Sequence, residues 1–266
     1  MSAASRDGIA GALVRAIAEG RVRPIYMALV DLATDRIVAV EALARWYRPS
    51  GEVVPPDDFI PVAEQSDLII DLDLAVAGQV VADLAAWQRV DPSFCITVNL
   101  SGRHFAGTDS IDRLTALVTR AGVDPATVIL ELTETVRPQD LDVAADVARR
   151  LRSVGFRIWL DDFGSGWSGM ADLLHFPVDG IKIDRPFARR LGSPAADAVI
   201  GAVSGLGEQL GLTVTLEGIE ERRQADRALA LGCHLGQGFL WSHGLTSDEV
   251  DERLPASRPV GERRRL

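Results

Sequence analysis

Residues 156–184 read FRIWLDDFGSGWSGMADLLHFPVDGIKID. The apolar run 156–160 has the length and composition of a strand and ends in two aspartates, Asp161 and Asp162. A second short run, 180–183, follows and carries Lys182. The same arrangement repeats on both sides. Upstream, 94–100 carries Asn99 and 128–132 carries Glu131; downstream, 213–216 is followed directly by Glu217. Helical periodicity fills most of the gaps, over 111–120, 141–153, 195–210 and 222–231. Strands alternating with helices predict a mostly parallel sheet covered by helices.

Toward the N-terminus, two β-type runs, 25–32 and 37–46, flank a turn at 31–35 and predict a hairpin, with Glu41 in its second strand. A long helical pattern, 68–87, leads into the alternating region, and 6–20 shows helical spacing through Ile9, Leu13, Ala16 and Ile17. With an eighth strand near 233–236, the sheet either closes into a (β/α)8 TIM-like barrel or stays open and doubly wound. The polar residues decide. In a barrel the C-terminal strand ends ring one mouth, so Glu41, Asn99, Glu131, Asp161, Asp162, Lys182 and Glu217 converge; an open sheet would spread them along an edge. The expected organisation is one domain, with an N-terminal helix at 1–20, the barrel at 21–250 and a C-terminal tail at 251–266.

Composition agrees with a globular protein. The 266 residues are 47% hydrophobic and 25% charged, and the net charge of −10 excludes a globally basic DNA or RNA binder. The one basic run, Arg263–Arg265, lies at the C-terminus. Arg6, Asp7, Arg15 and Glu19 interrupt any signal-peptide core, and no stretch approaches 18 consecutive apolar residues. The expectation is a cytoplasmic protein with no membrane partner. Cys95 and Cys233 stand far apart and read as small core residues, as do Trp46, Trp87 and Trp159. His104, His175, His234 and His243 share no metal-ligand spacing and read as surface or loop residues.

Crowded carboxylates cannot all ionise without cations between them. Oxygen-rich Asp, Glu and Asn sets suit Mg2+ or Mn2+ rather than zinc. Two such ions roughly 4 Å apart are an arrangement for in-line attack on phosphate esters. The residues alone therefore argue for metal-assisted phosphoryl hydrolysis. A rival pattern, GSGWSG from Gly164, imitates a dinucleotide fingerprint, but Pro177 leaves no room for the crossover helix that fingerprint needs. No GxSxG or CxxC occurs, so serine or thiol catalysis has no support.

The strings EALARW (from Glu41), VNLS (Val98), ELTE (Glu131), DDFGSG (Asp161), KID (Lys182), LEGIE (Leu216) and GC…QG (Gly232) follow one another in order. Together they resemble the EAL-domain family, cyclic di-GMP-specific phosphodiesterases of bacteria, and the chain reads as a stand-alone domain of that kind. The resemblance implies a barrel with one antiparallel strand near the N-terminus, in agreement with the hairpin. It implies that Glu41, Asn99, Glu131 and Asp161 hold one Mg2+ or Mn2+, and that Asp161, bridging, shares the second with Asp162 and Glu217. Ca2+ would inhibit. Lys182 would sit beside the nucleophilic water, Arg45 would meet a substrate phosphate, and Glu134 would brace the DDFG loop. Glu220 and Gln237 match positions near the lysine and the substrate. Cyclic di-GMP is the implied substrate and linear pGpG the product, and a homodimer is compatible with the sequence.

The chain departs from the family pattern at Met27-Ala28, where Gln-Pro usually follows the aromatic residue, and at Trp167, Gly169 and Gly244. None of these is a metal-ligand position. The alternative is a non-catalytic member that binds cyclic di-GMP or a protein without cleavage. Such members lose ligands, and this chain keeps every one.

Overall fold

The computed structural model describes residues 3–132, 141–164, 173 and 176–254. Nine strands form one sheet: β1 (Val22–Asp31), β2 (Arg36–Tyr47), β3 (Val53–Val54), β4 (Cys95–Leu100), β5 (Val128–Leu132), β6 (Arg157–Phe163), β7 (Gly180–Ile183), β8 (Thr213–Leu216) and β9 (Leu235–Gln237). Their order runs β1-β9-β8-β7-β6-β5-β4-β2-β3, and β1 also pairs with β2. That last pairing closes an eight-stranded barrel; β3 only extends the outer end of β2. β1 is antiparallel to both neighbours, while β2 and β4 to β9 run parallel around the rest. The hairpin is the cause. Asp31 accepts hydrogen bonds from the backbone of Ala33 and Thr34, Asp35 takes a left-handed φ of 56°, and the chain reverses within four residues.

The inside of the barrel is layered by the two-residue period of its strands. Leu29, Ala39, Cys95, Ile129, Trp159 and Leu235 form one buried apolar plug. Trp159 fills space that Gly180 leaves open: a Cβ at Gly180 would lie 2.5 Å from the indole nitrogen. Two residues further along the strands from Ala39, Cys95, Ile129, Trp159 and Leu235 come Glu41, Thr97, Glu131, Asp161 and Gln237. A polar layer therefore lies directly on an apolar floor. The register fixes this, since a slip by one residue would turn all of those side chains outward.

Helices cover the outside: α1 (Ala3–Ala18), α2 (Pro56–Ala63), α3 (Leu68–Trp87), α4 (Asp109–Ala121), α5 (Leu141–Val154), α6 (Arg185–Ala188), α7 (Pro194–Leu210), α8 (Arg222–Ala230) and α9 (Ser247–Arg253). α3 is fastened by edge-to-face contacts running from Tyr26 to Trp87 and from Trp87 to Phe94, at 4.9 and 5.9 Å between ring centroids. The Tyr26 hydroxyl also donates to Asp83 of α3. α1 buries Leu13 and Ala16 in the same core, and α9 runs across residue 250 to a buried Leu254. β1 begins three residues earlier than the sequence predicts and includes Pro24. Only β2 lies beside it there, because β9 pairs with Leu29–Asp31 alone.

Candidate active site

Lys182 on β7 is fully buried, and its Nζ is the centre of the polar layer. It lies 3.1 Å from Glu41 Oε2, 3.1 Å from Glu131 Oε2, 3.2 Å from Asp161 Oδ1 and 2.6 Å from Glu217 Oε1. Four strands and the residue following β8 thus aim charged groups at one point. Glu41 is held further by Asn99 Nδ2, donating to Oε1 at 3.0 Å, and by Gln237 Nε2, donating to Oε2 at 2.7 Å.

Asp161 and Asp162 are neighbours in a strand, where alternation would send them to opposite faces. The pairing of β6 with β7 shifts register between Leu160 and Phe163, and Asp162 has a left-handed φ of 51°. This irregularity re-aims the pair. Ligand oxygens of Asp161, Asp162 and Glu217 come within 4.8 Å of one another, and those of Glu41, Glu131 and Asp161 form a second such group.

Burial dominates the electrostatics. It raises the carboxyl pKa values of Glu131 and Asp161 and takes Glu217 to about 8, against the pull of Lys182, while neighbouring carboxylates push the same way as burial. Glu41 also feels burial, but Lys182, Gln237 and Asn99 outweigh it and hold its pKa below the usual carboxylate range. Burial alone would neutralise Lys182; the four carboxylates reverse that and keep it an ammonium. One cation facing this many acids is under-compensated. Among the described residues Glu131 Oε1 is buried with no hydrogen-bond partner, a costly state that a divalent ion would relieve. The donor set is all oxygen, as Mg2+ and Mn2+ prefer. The residues present fit such ions.

Arg45 is half-buried on β2, with Nη1 donating to the carbonyl of Ala44 at 2.8 Å. It lines, with Asn99, Glu64, Asp73 and Ser101, a pocket of about 170 Å³. Glu220 is exposed, and its backbone N–H donates to Gln224 at the start of α8. Glu134, assigned above to brace the DDFG loop, lies outside the described residues, as do Trp167, Gly169 and His175.

The EAL domain family profile matches residues 10–243. The chain belongs to the EAL domain family. Among the relatives of this EAL domain, the cyclic di-GMP phosphodiesterase PA2567 of Pseudomonas aeruginosa is 35% identical over 231 residues, covering 86% of this chain and 39% of that protein. The chain spans about two-fifths of the curated relatives it matches first. Among solved structures, the EAL enzyme Bd1971 bound to cAMP and cyclic di-GMP superposes with a TM-score of 0.89 at 29% identity, covering 97% of this chain and 70% of that one. Klebsiella pneumoniae BlrP1 with manganese and cyclic di-GMP gives 0.75 at 28% identity, covering 85% and 57%; its calcium complex gives 0.75 at 29%, covering 85% and 56%.

Two residues that support the EAL site escape a reading of strand ends. His104, expected at the surface or in a loop, lies in the turn after β4, where it is fully buried and its Nε2 meets Asp73 Oδ2 at 3.1 Å. The same oxygen accepts the backbone N–H of Ser101, two residues beyond Asn99. Asp73 thereby ties α3 to the turn after β4, and burial raises its pKa. The signal was an aspartate between Leu72 and Leu74 in a strongly apolar helix. His104→Ala is expected to remove one of the two hydrogen bonds to that oxygen and leave a cavity, at a cost of about 2 kcal/mol of stability, read as a lower denaturant midpoint; an unchanged midpoint would show that the pair holds nothing.

Proposed function

We propose that this EAL domain hydrolyses cyclic di-GMP to linear pGpG at a centre holding two divalent ions. The observation that carries the reading is the convergence of Glu41, Asn99, Glu131, Asp161, Asp162 and Glu217 around Lys182 on the apolar floor of the barrel. Glu41, Asn99, Glu131 and Asp161 would hold one ion, and Asp161, Asp162 and Glu217 the other. Such ions, when bound, supply the charge that activates a water and neutralises phosphate oxygens.

The chain's own residues do the rest. Arg45 offers a forked cation to a phosphate of the substrate, a geometry that lysine cannot match. Lys182 would position the attacking water and take part in moving its proton, because divalent ions bound beside the ammonium would favour its neutral, proton-accepting form over the charged one that the carboxylates hold. Gln237 holds Glu41 in its ligating orientation, and Glu220 stands in the loop after β8, on the substrate side. The apolar plug excludes bulk water from below, which strengthens every charge interaction above it. The reaction is assigned to the cytoplasm, following the expectation from sequence. Among the described residues no helix is long and apolar enough to cross a membrane.

The test pairs binding with turnover. Ca2+ is larger and takes more ligands at longer distances than Mg2+. Equilibrium dialysis in Ca2+ should find cyclic di-GMP bound and intact, and exchange into Mg2+ or Mn2+ should then release linear dinucleotide. Nucleotide that stays bound and intact in Mn2+ would turn the reading to a receptor without catalysis.

A further inference from the structure

The sequence has 27 arginines and a single lysine, Lys182. Several arginines pair at the surface in forked geometry, such as Arg222 with both oxygens of Asp35 and Arg152 with both oxygens of Asp179. Lys182 differs in kind. It is fully buried and meets four separate carboxylates within 3.2 Å. A guanidinium presents its donors in one plane, whereas a compact ammonium suits several acids converging from different strands.

Those four carboxylates are not a set apart from the candidate ligands. Glu41, Glu131 and Asp161 make up one group, and Asp161 and Glu217 belong to the other. An ion bound by either group draws on carboxylates that already hold the ammonium, and it carries charge of the same sign. Repulsion between like charges is strong where water is excluded.

We propose that Lys182 is a resident competitor of the divalent ions: its ammonium holds carboxylates of both groups, ion binding requires contacts to be surrendered, and the lysine sets the affinity of the centre well below what the carboxylates alone would give. The inference rests on the metal-centre reading above and adds a second role to the lysine, separate from its part in the chemical step.

The experiment measures Mn2+ and Mg2+ binding by calorimetry, without nucleotide, on the full chain and on Lys182→Met, which keeps the bulk and removes the charge. The variant is expected to bind Mn2+ about tenfold or more tightly, within the usual range of coupling between sites. Equal or weaker binding overturns the proposal. A second readout needs no variant. Because the chain has one lysine, ζ-15N-lysine labelling yields a single side-chain ammonium resonance, which should move along the same saturation curve that calorimetry gives for Mg2+. A resonance unmoved through saturation overturns the proposal even where Lys182→Met fails to fold. Absence of Mn2+ binding by the parent protein would instead sink the metal-centre reading itself.

Discussion

Lys182→Ala is expected to lower turnover of cyclic di-GMP by about a thousandfold, the middle of the range for a lost proton-transfer group, while affinity for the nucleotide stays within about tenfold. The separation follows from where the lysine sits. Its partners are Glu41, Glu131, Asp161 and Glu217, all candidate ion ligands, and it lies sealed beneath the mouth. Removing it takes away a group that acts on the attacking water and leaves the substrate-facing side intact. Loss of ions cannot explain the defect, because the variant is expected to bind them more tightly. Arg45→Ala should show the opposite pattern, with the larger effect in KM, since Arg45 lines the pocket beside Asn99, whereas the ammonium is held by Glu41, Glu131, Asp161 and Glu217. Steady-state kinetics on both variants check the pair. Lys182→Ala turning over like the parent would remove the lysine from the chemistry.

Asp161→Asn should abolish both ion sites at once, because Asp161 is the one residue common to the two carboxylate groups. Divalent ions contribute several kcal/mol to such transition states, and each 1.4 kcal/mol is tenfold in rate, so turnover should fall by about a thousandfold or more. Stability should move the other way. The Asp161 carboxyl has a raised pKa from burial, and Glu41 adds repulsion; one fewer carboxylate around a single ammonium relieves both. Thermal unfolding in chelator should give the variant a midpoint equal to or above the parent's, and Mg2+ should raise the parent's midpoint far more than the variant's. A midpoint in chelator well below the parent's would mean that Asp161 is chiefly structural.

The barrel was legible because the polar residues stand at the right places on apolar runs. Glu131, Lys182 and Glu217 could be aligned at strand ends from the string alone, and the turn around Asp35 explains why the first strand is reversed. The irregularity that brings Asp162 beside Asp161 was not legible. Period-two reading gives opposite faces to adjacent residues, and only the shifted pairing of β6 with β7 turns both to one side. The burial of His104 in the turn after β4 is illegible for a related reason. Its partner Asp73 comes from α3, more than thirty residues away, and no local pattern joins a helix acid to a turn imidazole. Glu220 matched a motif position, yet its surroundings are those of an exposed loop, so its part depends on the substrate rather than on the buried cluster.

The most direct measurement is the fate of cyclic di-GMP incubated with the purified protein, resolved by chromatography in Mg2+ or Mn2+ and again in excess chelator. The account predicts linear pGpG with either ion and intact nucleotide in chelator. Cleavage that persists undiminished in chelator, or nucleotide recovered intact with both ions, would contradict it.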